Sequence, residues 1–299
     1  MGNRLRSLRT AVPALLVMAV LAAGCTTNPP AGGQTWSLAA DSITSVQSAG
    51  DPAGSFTFWD PDAAEEPYLV HLAIRVTLGE PVAVSTRVTS SYSDGGRYIC
   101  KISQGQTCPG LPGDGPSFTG LNAPDLLDLA MGAKLELVGT LDLLFERDAL
   151  IPVGVVGLLQ GVSDIINAAL PAVIGAGGIP SDAQGIVDLL SAVLPGVIAT
   201  VVGAVGAVVG NLAGADELIG VSPIFYIAVG GTLAGVIRNV LPSLLDLVKF
   251  ALSQQPDNPF PNGLPISIGV LGDRTRVRFG NGTQAPFKLF DVTYRWSVA

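Results

Sequence analysis

The feature that most constrains this chain is an uncharged, mainly apolar segment from Leu189 to Ala215. Within it, "PGVIATVVGAVGAVVGNLAG" runs from Pro195 to Gly214. A helix rises 1.5 Å per residue, so about 20 residues are enough to cross roughly 30 Å of hydrocarbon. A helix that is apolar on every side must be covered by protein or by lipid. The segment is therefore a membrane span or a buried helix.

The N-terminus has the layout of an export signal. Three arginines precede the apolar stretch "AVPALLVMAV", and "LAAGC" (Leu21 to Cys25) follows it. The apolar stretch is too short to remain as a membrane span. "LAAGC" resembles the lipobox of bacterial lipoproteins, and this resemblance implies cleavage before Cys25 and diacylation of its sulfur. An ordinary secretory signal with a chance cysteine is the alternative.

That resemblance covers only the first residues and implies attachment to the extracytoplasmic face of the cell membrane. Residues 1–24 are then the signal peptide, and the polar, Pro/Gly-rich residues 25–34 are expected to form a flexible tether. Removing residues 1–24 takes away three arginines and no acid, so the formal net charge changes from −8 to −11. Such a surface repels phosphate, which argues against nucleic acid as a partner and against electrostatic membrane binding.

The two cysteines that remain are predicted to form a disulfide. Cys100 and Cys108 flank "KISQGQT" and would lie in an oxidising compartment. Closing this short loop would stabilise the fold by roughly 2 to 3 kcal/mol in the chain-entropy model. Free thiols or a metal site are the alternatives, but two cysteines and one histidine are too few ligands for structural zinc.

Alternation of apolar and polar residues predicts half-buried antiparallel strands on both sides of the apolar region. The pattern is clear in "PYLVHLAIRVTL", "PVAVSTRVTSSY", "AKLELVGTLDLLF" and "APFKLFDVTYRWSV", and weaker in "TWSLAAD" and "GSFTFWD". "ISIGVLGDRTRVRF" reads as one or two strands, joined to the last strand through the turn signal Asn281-Gly282. We expect the two sets of strands to pair, because neither alone covers its apolar face.

The predicted fold class is therefore α+β: an antiparallel β-sandwich formed by N- and C-terminal strands, with a large apolar α-helical insertion. Residues 35–147 and 263–299 form the sandwich, and residues 148–262 form the insertion. We expect a bundle of four or five helices, two of them apolar nearly all round, at Leu189–Gly214 and Leu218–Ile237. Helical spacing places Leu158, Val162, Ile165, Ile166, Ala169 and Val173 on one stripe, and Leu241, Leu244, Leu245, Val248 and Leu252 on another.

Topology limits how this insertion could meet a membrane. One crossing would separate the exported strands from the C-terminal strands, so only an even number of spans fits the expected sandwich. A hairpin of about residues 189–237 meets that condition, but its inner loop is acidic and Arg238 lies outside, against the positive-inside tendency. A soluble or membrane-resting bundle, a spanning hairpin and an oligomeric pore stay open.

Catalytic signals are absent from the sequence. It has no nucleophile elbow, zinc-protease motif, P-loop or dinucleotide fingerprint, and a single histidine, His71, argues against triads and His-rich metal sites. We expect no enzyme activity, no cofactor and no metal, and we expect His71 to be a surface imidazole. Asp60, Asp62, Glu65 and Glu66 could form a weak calcium site, but a solvated loop is favoured because EF-hand spacing is missing.

One basic feature stands out in this acidic chain. Arg274, Arg276 and Arg278 alternate along "DRTRVRF" and therefore share one face of a predicted strand. They form either a docking face for an acidic partner or headgroup, or a solvated edge that blunts aggregation.

Two functions follow as expectations. The first is a non-enzymatic binding module, anchored to the membrane by its N-terminal lipid, whose helical insertion binds a lipid or other hydrophobic ligand, or a membrane surface. The second is a structural subunit of a membrane complex, with the hairpin of about residues 189–237 in the bilayer.

Overall fold

Strands and long helices are both present in the computed structural model of the protein, which describes residues 33–47, 65–90, 101–109, 115–146, 153–175, 177–212, 217–254, 264–280 and 288–298. The strands of this part of the chain are β1 (Gln34–Gln47), β2 (Pro67–Leu78), β3 (Ala83–Ser90), β4 (Thr107–Pro109), β5 (Ser117–Leu121), β6 (Leu135–Glu146), β7 (Glu217–Ala228), β8 (Ser267–Val270), β9 (Arg274–Gly280) and β10 (Leu289–Val298). The helices are α1 (Leu126–Ala130), α2 (Val153–Ile174), α3 (Ala183–Leu212) and α4 (Gly231–Ser253).

The strands form two five-stranded sheets, so the fold is mixed α+β. In the first, here called the outer sheet, the order is β4-β1-β10-β9, and β5 also pairs with β1. In the second, the central sheet, the order is β3-β2-β6-β7-β8. All of these pairs are antiparallel except β7 with β8, which is parallel.

The inner strands β2, β6 and β7 of the central sheet are buried on both faces. On β2, Tyr68, Val70 and Leu72 belong to a cluster shared with the long helices, here called the helical core. The alternate residues Leu69 and Ala73 belong to a second cluster shared with the outer sheet, here called the inter-sheet core. The period-two prediction for this strand is therefore right about which residues share a face. It is wrong about exposure, because on the predicted polar face only Arg75 and Thr77 keep partial exposure.

The pairing of N- and C-terminal strands is direct. β1 runs antiparallel to β10 from Trp36, opposite Val298, to Gln47, opposite Leu289. β10 in turn pairs with β9. The Asn281-Gly282 turn lies outside the described residues, as does "GSFTFWD".

One predicted helix is wrong. The expected helix Leu218–Ile237 is divided into a strand and a helix: Glu217–Ala228 is β7, and α4 begins only at Gly231. β7 lies between β6 and β8 inside the central sheet, where apolar residues on both faces are what a buried strand requires. The proposed hairpin of about residues 189–237 therefore lacks its second helical arm.

The described part of the helical region contains three long helices in place of a bundle of four or five. The helical region is not divided at its prolines Pro171, Pro195 and Pro242, because each of them lies inside a helix. α2 ends where Gly175 adopts a φ of 72°, a left-handed conformation that suits glycine.

Candidate functional site

The three long helices form a layer over one face of the central sheet. α2 packs on β3 and β2, α4 packs on β8, and α3 lies between α2 and α4 and contacts both. Because β3 and β8 are opposite edges of the sheet, the layer order is α2-α3-α4. The side of this layer that faces away from the sheet carries several exposed large apolar side chains.

On α2, polar and apolar exposed residues lie on different flanks. Asn167 donates a hydrogen bond to the Thr86 hydroxyl on β3 at 2.8 Å, and Ser163 also bonds Thr86. Leu158 and Ile165 lie 140° to 200° away around the helix at 100° per residue. They are exposed, Ile165 by 55%. This flank faces α3, so two residues expected in the core stripe instead line the outside.

α4 repeats this arrangement from the other side. Arg238 forms a two-point ion pair with Asp273, in the turn between β8 and β9, at 2.8 and 3.2 Å. Val236 and Leu247 lie on the opposite flank and are exposed. Phe250, next to that flank, is 66% exposed. The exposed apolar flank of α4 therefore also faces α3.

Between them, the outer face of α3 is lined by small residues. Ala192 and Gly203 are exposed, and Gly196 and Ala199 are half-buried. A Cβ on Gly196 would stand 2.8 Å from Cγ1 of Val173 on α2, so a larger residue there would push the helices apart. Small residues of α3 thus lie between exposed apolar residues of α2 and α4, and we name this apolar surface the helical trough. It is lined by Leu158, Ile165, Ala192, Ala199, Gly203, Val236, Leu247 and Phe250.

Charge is sparse on this layer. The three long helices carry five charged side chains in total: Asp164, Asp188, Arg238, Asp246 and Lys249. By length and composition, three helical segments could cross a membrane: Val155–Ile174, Ala183–Gly206 and Gly231–Ser253. A site with this chemistry suits an apolar partner, since it offers few groups for hydrogen bonds or ion pairs.

The prediction that His71 is a surface imidazole is wrong. His71 is only 3% exposed, and its Nδ1 lies 2.8 Å from Oδ1 of Asp142. The two residues are directly opposite each other in the β2–β6 pairing, on the face covered by the outer sheet. Thr140 also donates to Asp142. Sequence analysis missed this pair, which only the strand register brings together.

Two tyrosines lie close to this buried pair. Burial, with the Asp142 carboxylate nearby, raises the pKa of Tyr294 well above 10.0. Burial also raises the pKa of Tyr226 above that value. Both hydroxyls therefore keep their protons at physiological pH. His71, Asp142 and the two tyrosines lie between the central sheet and the outer sheet. They therefore form a structural polar network inside the inter-sheet core.

Two of the four candidate calcium ligands are described, and they are engaged with lysines. Glu65 lies 3.0 Å from Nζ of Lys288, which also pairs with Glu146, and Glu66 lies 3.0 Å from Nζ of Lys101. Asp60 and Asp62 lie outside the described residues. Among the residues the structure describes, no cluster of histidine, cysteine and acidic side chains could hold a metal ion.

The three arginines lie on β9 with exposed side chains, as the alternation predicts, but each has an acidic neighbour. Asp291 on β10 accepts hydrogen bonds from both Arg276 and Arg278. Arg274 lies 3.4 Å from Asp41 on β1. Two carboxylates thus offset three cations, which leaves this face less basic than the sequence suggests.

Cys108 is buried on β4, whereas Cys25 and Cys100 lie outside the described residues. Lipidation of Cys25 and the pairing of Cys100 with Cys108 stay predictions.

Comparison with protein-family models, with curated proteins and with solved structures finds no match to this chain.

Proposed function

We propose that this is an exported, lipid-anchored protein of the cell envelope, attached through Cys25 to the extracytoplasmic face of the cell membrane. In this proposal it is a non-enzymatic binding module, and its helical layer binds a lipid or other hydrophobic ligand, or a membrane surface. The observation that carries the proposal is the helical trough, because both flanking helices turn exposed apolar side chains toward α3.

The energetics of the layer support an apolar partner. A helix that covers a sheet normally presents a polar face to water. Here Ile165 and Phe250 are more than half exposed beside a floor of alanine and glycine. Contiguous exposed apolar surface marks sites of binding to ligands, proteins or membranes.

The finer architecture belongs to the same proposal. We infer a β-sandwich of the outer and central sheets, formed by N- and C-terminal strands, with residues 148–262 inserted. The shared inter-sheet core and the β1–β10 pairing support it. The insertion then supplies β7 to the central sheet as well as the helical layer.

The test uses unlipidated protein, made as Cys25→Ser, so that lipid bound by the fold is not confused with the anchor. Lipid that copurifies is identified by mass spectrometry, and binding of a fluorescent phosphatidylcholine is measured by titration. Ile165→Asp should weaken that binding by about tenfold or more, because a carboxylate replaces apolar surface that the bound lipid would cover. Gln160→Asp, an exposed position on the other flank of α2, is the matched control and should change little. If the protein carries no lipid and binds neither the probe nor vesicles, the layer is only a structural cap.

A structural subunit of a membrane complex is the second candidate, favoured by the three helical segments long enough to span. In that case α3 and α4 would have to leave the central sheet and enter the bilayer. Washing membranes with carbonate separates the candidates. Cys25→Ser protein that stays in the pellet favours insertion, and protein released as a soluble form excludes it.

A further inference from the structure

We propose that a second, specific contact orients the anchored protein: the end of the fold at α1 rests on the membrane, with Leu127 and Met131 inserted into the bilayer. This inference depends on the proposed anchoring. It assigns the membrane contact to α1 and leaves the helical trough clear of the bilayer for a separate apolar ligand.

α1 presents two large apolar side chains on a rigid support. Leu127 is 65% exposed and Met131 is 70% exposed. They are four residues apart, so they share one face of this turn of helix. Beneath them, Leu129 is buried in the helical core.

A capping box fixes the start of α1. Oδ1 of Asp125 accepts hydrogen bonds from the backbone N–H groups of Leu127 and Asp128 at 2.9 and 3.1 Å. Oδ2 of Asp128 accepts one from the N–H of Asp125 at 3.0 Å. The carboxylates of Asp125 and Asp128 are thus both engaged by backbone N–H groups. The nearby Lys134 is exposed. The contact is expected to be apolar and insensitive to salt.

The folded chain begins at this same end of the molecule. Gln34, the first residue of β1, pairs with Leu121, five residues before α1 starts. Trp36 lies against the turn at Gly272, and the N–H of Leu271 in that turn bonds the carbonyl of Ile227 at the end of β7.

The same end of the central sheet then connects to the segment that leads into α1. Gly230, two residues past β7, donates its N–H to the carbonyl of Pro124 at 3.0 Å. The start of β1, the end of β7 and α1 are therefore neighbours.

The reach of the tether favours this end over the trough. Nine residue steps from Cys25 to Gln34 span at most about 30 Å when fully extended. The outer sheet, where Gln34 lies, is separated from the outer surface of the helical layer by the central sheet, a thickness of roughly 25 Å. Laying the trough on the membrane would need a nearly extended tether, whereas resting on α1 would not.

The experiment measures the depth of two positions in vesicles. A fluorescent non-natural amino acid replaces Met131 in one protein and Phe250 in the other. Each protein, starting at Thr26 behind a polyhistidine tag, is bound to phosphatidylcholine vesicles through a nickel-chelating lipid. Quenching by lipids spin-labelled in the acyl chain should be at least about twofold greater at position 131 than at position 250, because only side chains in the acyl boundary meet the quencher.

A paired variant checks the contact without a probe. Leu127→Ser with Met131→Ser should weaken vesicle binding of the tagged protein by about fivefold or more, because two apolar anchors are lost. Gln160→Ser with Gln254→Ser, two exposed positions outside both α1 and the helical trough, should leave it unchanged. Equal quenching at both positions, or stronger quenching at position 250, would overturn the inference. Failure of the anchoring proposal shows separately, as an unmodified Cys25 in the mass spectrum of protein from the native export route.

Discussion

At the scale of single residues, the buried His71–Asp142 pair carries a clear stability prediction. His71→Leu removes the basic partner that Asp142, a fully buried carboxylate, has among the described residues. We expect the free energy of unfolding to fall by about 3 kcal/mol or more, because an uncompensated buried charge is strongly destabilising. Urea denaturation measures it, with Lys134→Ala as the exposed control. The double variant His71→Leu with Asp142→Leu should recover part of the loss; a variant as unstable as the single one would contradict this account.

Asp291 makes a second prediction at the residue scale, this time about pH. Hydrogen bonds from Arg278 and then from Arg276 lower the pKa of Asp291 below 3.8. The pKa of Asp291 is lower in the folded protein than in the unfolded protein, so its ion pairs stabilise the fold fully above the unfolded-state pKa. This stabilisation is lost as pH falls through the folded-state pKa. Asp291→Asn should cost about 1 to 2 kcal/mol at pH 7, and the difference from wild type should shrink progressively as pH falls below the unfolded-state pKa of about 3.8. A difference at pH 2 as large as the one at pH 7 would show that the ion pairs are not its source.

At the scale of elements, Gly139 reports on the pairing of β6 with β7. A Cβ at Gly139 would stand 2.5 Å from Cδ1 of Phe225 and 2.8 Å from the carbonyl oxygen of Ile224. We expect Gly139→Ala to destabilise the fold by about 1 to 3 kcal/mol, because the close approach leaves no room for a methyl group. Gly203→Ala, inside α3 with no neighbour within 4 Å, should instead stabilise by about 0.5 kcal/mol or more. Thermal unfolding of both variants decides whether β7 is a strand at this position.

The same element explains where sequence analysis failed. "ELIGVSPIFYIA" is mostly apolar, without a clear period, and such a run cannot be assigned to a buried strand or a buried helix by periodicity alone. Pro223 does not rule out a strand, because β8 pairs with β7 only from Ile224 onward. By contrast, α4 was recognisable from the spacing of Leu244, Val248 and Leu252, which are all buried.

At the scale of the whole molecule, the helical region should not be removable. If residues 148–262 were an independent insertion, the rest would fold after their replacement by a short turn. Because β7 lies between β6 and β8, their removal would open the central sheet and expose its helical face. We expect the shortened protein to be unfolded or aggregated in circular dichroism and limited proteolysis. Removal of residues 1–25 is the control and should preserve the fold, since Gln34–Ala299 is a compact unit by itself.

Local pattern alone determined the strands with period two, such as β2, β6 and β10, and the helices with one apolar stripe. It also determined the common face of Arg274, Arg276 and Arg278, because alternation is a property of the strand itself. The tertiary structure decided everything that depends on what covers a face. His71 is buried because a second sheet covers β2, and Ile165 is exposed because no described element covers its flank. Burial is set by neighbours distant in sequence, and periodicity contains no information about which neighbours those are.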